Sequence, residues 1–257
     1  MTALSDLFGL AGKTAFISGS SRGIGLALAK ALGKAGAAVI INGRDEGQVQ
    51  KALGSLTASG IEAIGSTFDV TVAEDVEREI ARLELEFRPI DVLVNNAGMQ
   101  HRAPFADFPA EMFDKLMRTN LYSAFYLTQP VVRSMMGRKQ GSIINICSVQ
   151  SELGRPSIVP YTASKGAMKM LTKGLAAELG PHGIRVNGLA PGYFRTDLNE
   201  ALAKDAEFSR WLVGRTPLAR WGEVDELGGA AIFLASNASS FVTGQIIYVD
   251  GGMTGSV

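Results

Sequence analysis

The stretch YTASK sets Tyr161 and Lys165 four residues apart, directly before GAMKMLTKGLAAEL, whose apolar spacing reads as a helix. On a helix the two side chains lie one turn apart on the same face. A phenol beside an ammonium is a proton-transfer pair. A free tyrosine titrates near pH ~10, so only about one in a thousand is ionised at neutrality, and a nearby cation favours the phenolate. Tyr161 in such a pair can give a proton to a carbonyl oxygen or take one from an alcohol. Spacing alone is weak support: five Tyr and ten Lys in 257 residues produce about 0.2 such pairs by chance. The pair matters only if other elements build a site around it.

Those elements alternate in type. TAFIS (14–18), AVII (38–41), DVLVN (91–95), SIINI (142–146), IRVNGLA (184–190) and QIIYVD (245–250) read as strands, and IEAIGSTFDV (61–70) as a weaker seventh. They are β-branched, bounded by Gly or Pro, and mostly apolar on both faces, as strands of a covered parallel sheet are. IGLALAKALGKAG and EDVEREIARLELEF between them are amphipathic, the second with opposite charges at helical spacing. Strand–helix alternation predicts an α/β, doubly wound Rossmann fold: a parallel sheet of about seven strands with helices on both faces. With no repeat, low-complexity tract or linker, residues 1–257 are expected to form one domain.

Open parallel sheets bind ligands beyond the carboxyl ends of their strands. The first such end reads SGSSRGIG, with Gly19, Gly23 and Gly25 between a strand and a helix. Glycines let the backbone turn tightly and approach a pyrophosphate, and the helix N-terminus offers unbonded N–H groups and partial positive charge. The alternative is a glycine-rich turn with no ligand. At the second strand end, Gly43 stands where NAD-binding folds carry an acidic residue for the ribose 2′-hydroxyl, and Arg44 follows. Arg22 sits inside the glycine turn. Two guanidinium groups there suit a 2′-phosphate, so NADP(H) is expected in preference to NAD(H). The alternative for each is a solvated surface charge.

Bulk properties exclude several classes. A chain with 46% hydrophobic residues can bury a large core. Basic and acidic residues balance at 25 each, which gives no sign of a nucleic-acid or membrane-surface partner. The single cysteine, Cys147, is expected to be a buried small hydrophobe in a reducing compartment. MTALSDLFGLAGK lacks the basic segment of a signal peptide, and no stretch has the apolar length of a membrane span. A cytoplasmic protein is expected, and no metal site is expected.

The whole chain, from GKTAFISGSSRGIG to YVDGG, resembles the short-chain dehydrogenase/reductase family. Ser18 replaces the threonine of that family's glycine motif and keeps the hydroxyl. The resemblance implies cofactor contacts from Gly19, Ser21, Arg22, Gly23, Ile24 and Gly25 in the turn. It adds Arg44, an adenine-contacting Asp69–Val70 pair, and Asn96, Ala97 and Gly98 of the N-N-A-G motif. Pro191, Gly192 and Thr196 are implied at the nicotinamide, with Tyr161 and Lys165 completing the set. Asn120, Ser148, Tyr161 and Lys165 match the family's catalytic tetrad. In that arrangement Tyr161 is the general acid or base, Ser148 holds the substrate oxygen, Lys165 also binds the nicotinamide ribose, and Asn120 holds a relay water. A homotetramer is implied as well. An inactive relative or a non-catalytic NADPH-binding redox sensor remains an alternative, although sensors usually lose the Tyr or Lys.

Substrate choice lies in the loops after strands four to six. NAGMQHRAPF and CSVQSELGRP resemble the branch of the family that interconverts D-gluconate and 5-keto-D-gluconate. A sugar acid needs hydrogen-bonding groups along its length, for which Gln100, Gln150 and Glu152 are candidates beside Ser148 and Tyr161. Its carboxylate needs a cation, Arg102 or Arg155, with Arg155 favoured because its loop begins at Ser148. Either could be a surface arginine. A 3-oxoacyl-carrier-protein reductase or another sugar dehydrogenase is the alternative. His101 is expected to be an exposed loop side chain, and residues 193–215 a helical, mobile lid.

Overall fold

The computed structural model describes residues 3–196 and 199–256. Seven parallel strands form one sheet: β1 (Thr14–Ile17), β2 (Ala38–Gly43), β3 (Ala63–Thr67), β4 (Val92–Asn95), β5 (Gly141–Ile146), β6 (Ile184–Pro191) and β7 (Ile246–Val249). Their order is β3-β2-β1-β4-β5-β6-β7. The order reverses between β1 and β4, where Ala15, Phe16 and Ile17 pair with Val92, Leu93 and Val94. That reversal opens a crevice at the carboxyl ends of the strands.

Alternate residues of each strand serve opposite faces. Ile17, Val39, Ile41, Val94 and Ile144 join one buried cluster with Leu28 and Leu32 of α2 (Gly23–Lys34), Val49 and Leu56 of α3 (Glu46–Thr57), and Leu234 of α10 (Gly228–Ala235). Phe16, Ile40, Leu93 and Ile143 point the other way. They meet Val76 and Ile80 of α4 (Ala73–Glu86), Leu127 and Val131 of α6 (Ser123–Arg138), and Leu179 of α7 (Val159–Leu179). Burial on both faces explains why the strands are apolar throughout instead of alternating.

The weak segment 61–70 does form an edge strand, with register Val39–Ala63 through Gly43–Thr67. Its mixed burial accounts for the poor sequence signal. Strand β2 runs two residues past the expected AVII because Asn42, although polar, is buried and bonded. Its Nδ2 donates to the carbonyls of Ser66 (3.2 Å) and Phe68 (3.2 Å). The segment expected as a lid contains two helices, α8 (Glu200–Lys204) and α9 (Ala206–Arg215). Positions 197 and 198 of that segment lie outside the described residues. The remaining helices are α1 (Leu4–Phe8) and α5 (Ala110–Met117), the latter running into a π turn (Arg118–Tyr122) before α6. No described helix is long and apolar enough to cross a membrane.

Candidate active site

The crevice is a cleft of about 680 Å³ that reaches from the glycine turn to Tyr193, Thr196 and Asn199, in the loop after β6. At one end the chain leaves β1 and turns through Gly19, whose φ of +59° is left-handed and whose Cα side lies against Ala97. Gly25, the last glycine, has no room for a side chain: a Cβ there would stand 2.6 Å from Asn96 Nδ2 and 2.6 Å from the Gly19 carbonyl oxygen. Helix α2 starts with no side-chain cap, so the N–H groups of its first turn lack a protein partner of that kind and face the cleft. That is an anion cradle.

Three polar side chains brace it. Ser18 Oγ accepts from Asn96 N (2.9 Å) and Ala97 N (3.0 Å), so the serine at the motif's first position still ties β1 to the loop after β4. Asn96 Nδ2 donates to the carbonyls of Ser18 (2.8 Å) and Gly19 (3.0 Å). Asn42 Oδ1 accepts from Gly19 N (3.2 Å). Every residue expected to touch the cofactor lines this one cleft. Arg22 and Arg44 flank the turn as exposed cations, and Arg44 reaches Asp69 only loosely, at 3.7 Å. Their charge is therefore available to a phosphate. The cradle, the two arginines and the absence of a carboxylate at Gly43 fit an NADP-sized ligand.

Deeper in the cleft, Ser148 follows β5 and Tyr161 and Lys165 project from α7. Burial pushes the Tyr161 phenol above its ordinary value, and a hydrogen bond with Ser148 opposes that shift. The lowering expected from Lys165 does not occur in the protein alone. Lys165 Nζ lies 5.7 Å from the Tyr161 ring centre and donates to the Ile146 carbonyl (2.6 Å). Burial also pushes Lys165 down to about 8, so its positive charge is itself weakened. Desolvation dominates both groups because each is held within protein with no carboxylate acting on it among the described residues.

Asn120 is fully buried in the π turn and does not line the cleft. Its Oδ1 accepts from Met99 N (2.7 Å), and its Nδ2 donates to Met99 O (3.0 Å) and Ser164 Oγ (3.1 Å). Both amide hydrogens are engaged by protein. The side chain thus clamps the loop after β4 to α7, one residue from Lys165. A π turn at this point is a common mark of a functional position.

Arg102 and Arg155 line the same cleft. Partial desolvation and the charge of Arg155 push Arg102 down, so the two guanidiniums feel one another. Among the described residues neither has a carboxylate partner within ion-pair distance. Gln100 and Gln150 also line the cleft. Gln150 is buried, and its Oε1 has no hydrogen-bond partner. Glu152 is a correction to the expectation from sequence: it turns out of the cleft, ion-paired to Lys169 and accepting from Tyr248 Oη at 3.0 Å. The nearby Lys169 offers it a better partner than a neutral sugar would. His101 is half-buried edge-on against Phe108, with ring centres 5.3 Å apart. Cys147 is buried as expected, packed with Met168 and Ala190.

Two site residues escape the sequence pattern. Tyr193 lines the cleft and accepts a hydrogen bond from Arg155 Nη1 at 3.3 Å, within a cluster of Phe208, Trp211 and Trp221. Asn42 braces the glycine turn. A polar residue closing an apolar strand was the available signal for Asn42; Tyr193 had none. No group of three or more His, Cys, Asp or Glu placed to hold a metal ion occurs among the described residues.

The model of the family described as enoyl-(acyl carrier protein) reductase matches residues 19–254. The chain belongs to the short-chain dehydrogenase/reductase family. It is 52% identical over 252 residues to gluconate 5-dehydrogenase of Gluconobacter oxydans, which spans 98% of each chain. It is 50% identical over 250 residues to 5-keto-D-gluconate 5-reductase of Escherichia coli, covering 97% of this chain and 98% of that one. The crystal structure of a gluconate 5-dehydrogenase from Burkholderia cenocepacia, in complex with NADP and tartrate, matches with a TM-score of 0.97 and 52% identity over 99% of this chain and 100% of that one. Membership of the short-chain dehydrogenase/reductase family makes the chain an oxidoreductase, and its sheet order and cleft follow the same plan.

Proposed function

We propose that this chain is an NADP(H)-dependent oxidoreductase that interconverts D-gluconate and 5-keto-D-gluconate. The observation that carries this reading is one cleft lined both by Tyr161 and by Arg102 and Arg155, two arginines with no carboxylate partner among the described residues. The nicotinamide, when bound, supplies or accepts the hydride. In ketone reduction the Tyr161 phenol donates its proton to the carbonyl oxygen, and in alcohol oxidation its phenolate takes that proton back. Ser148 hydrogen-bonds the same oxygen and fixes its distance from the phenol. Lys165 holds the ribose and lowers the cost of a phenolate. Arg155, assisted by Arg102, takes the sugar-acid carboxylate, which a guanidinium can hold through two parallel bonds. Gln100 and Gln150 offer amides to hydroxyls along the chain of the substrate, while Glu152 is left out of this set.

The same reading assigns Arg22 and Arg44 to the 2′-phosphate and makes residues 1–257 one catalytic domain with a lid. A homotetramer fits the exposed Phe113, Tyr122, Phe125 and Met170 on or beside α5, α6 and α7. NADPH oxidation measured side by side with 5-keto-D-gluconate, an acetoacetyl thioester and neutral keto-sugars tests the substrate. Sugar-acid reduction should lead in kcat/KM. A thioester ahead by about tenfold, or no loss when Arg102 and Arg155 are both removed, would overturn the assignment.

A further inference from the structure

We propose that Phe208, which does not line the cleft, is a positioning residue that holds the Arg155 guanidinium over the substrate site. This rests on the assignment of Arg155 to the substrate carboxylate. The Arg155 Cζ lies 4.6 Å from the centre of the Phe208 ring. Its Nη1 donates to Tyr193 Oη at 3.3 Å. Neither contact neutralises the charge. The aromatic face attracts a cation through its quadrupole and does not compete for the guanidinium's N–H groups. A carboxylate in that place would compete with the substrate instead.

Arg155 needs such a holder. It sits in the loop between β5 and α7, and it faces the like charge of Arg102, which drives the two apart. Phe208 is fixed well enough to resist. The Asp205 carboxylate caps α9 by accepting from Glu207 N (2.9 Å) and Phe208 N (3.1 Å). The ring itself packs against Trp211, with centres 5.2 Å apart. One turn later Leu212, 1% exposed, anchors α9 in a buried cluster with Val149 and Trp221. The lid helix therefore sets where the substrate's negative end is received, through a ring the substrate never touches.

The test compares Phe208→Leu with wild type in NADPH-dependent reduction of 5-keto-D-gluconate. KM should rise by about tenfold, with kcat changed by less than about threefold and NADPH affinity unchanged. Phe208→Tyr, which restores a π face, should recover the wild-type KM. Phe208→Met, of similar reach without a ring, serves as a second probe if the leucine variant folds poorly. In an Arg155→Ala background Phe208→Leu should add nothing, because it acts through that arginine. An unchanged KM in the Leu and Met variants, or additive losses in the double variant, overturns the inference while leaving Arg155 in place. If Arg155→Ala itself leaves KM unchanged, or wild type reduces no sugar acid, the assignment beneath it falls and this inference with it.

Discussion

Single side chains carry the chemistry, and their environments set its direction. Tyr161→Phe removes the proposed proton donor and preserves the ring, so turnover should fall by at least ~10²-fold with NADPH binding little changed. Steady-state rates with a fluorescence titration of NADPH check this; a variant keeping a tenth of wild-type turnover would refute it. Truncating Arg44 should cost about 1.5–3 kcal/mol in kcat/KM with NADPH and little with NADH, the scale of a lost charge-assisted bond. Equal losses would make Arg44 structural. Lys165 carries a pH signature. Its native value of about 8 lies below its ordinary 10.5, so the folded chain holds fewer protons than the unfolded one between these values. Stability from this group therefore rises with pH across that window and is lowest below pH 8. Urea melts of wild type and Lys165→Met at pH 7 and pH 9.5 should show the difference moving toward wild type at the higher pH, by at most about 2 kcal/mol. That Ser148, Tyr161 and Lys165 meet in one cleft was legible because Tyr161 and Lys165 sit at a fixed local spacing and Ser148 follows a strand of the parallel sheet. Glu152 misled because a carboxylate in a polar loop looks the same in sequence whether it faces substrate or Lys169. Tyr193 was invisible because its partners Arg155, Phe208 and Trp221 lie far away along the chain.

Elements matter here through the tightness of their approach. At the first strand–helix turn, the Asn96 amide occupies the space where a larger residue 25 would extend. Gly25→Ala should push that amide off the Ser18 and Gly19 carbonyls and deform the cradle. NADPH binding should weaken by at least about tenfold, with a stability loss of about 1–3 kcal/mol from the buried groups left unbonded. Calorimetric titration and thermal melts measure the two effects, and unaltered cofactor affinity would show that the brace is dispensable. The glycine spacing made this turn readable in advance. The polarity of Asn42 was a signal, but its contact with the turn was not readable, because Asn42 and Asn96 reach the turn from β2 and from the end of β4. Strand positions were legible for the reason their faces are apolar, since helices cover both. Of the two edge strands, β3, with one buried residue in five, lacked that mark, whereas β7, half-buried throughout, kept it in its apolar IIYV. The π turn that buries Asn120 left no trace in the pattern, because it changes the count of residues per turn without changing their polarity.

For the whole molecule, the decisive fact is that one sheet spans residues 14 to 249, and its centre holds the site. Strands β4 and β5 lie side by side there through Val92–Ser142 to Asn95–Asn145. The fold as a class was readable from alternation alone, whereas the packing of helix α9 over Arg155 depended on contacts between distant segments. Cys147, the chain's single thiol, sits just past β5 and is 2% exposed, and burial pushes its titration upward. A thiol-specific reagent can reach it only when this part of the sheet opens, and a raised titration keeps its reactive thiolate scarce until then. Labelling of the native protein should therefore be far slower than labelling in denaturant. NADPH at a hundred times its dissociation constant should slow it about a hundredfold further, if the opening that exposes the thiol also releases the cofactor. A rate indifferent to NADPH would mean that the thiol is reached by a small local motion. With no second thiol to react, each modified molecule records one opening at the heart of the catalytic cleft.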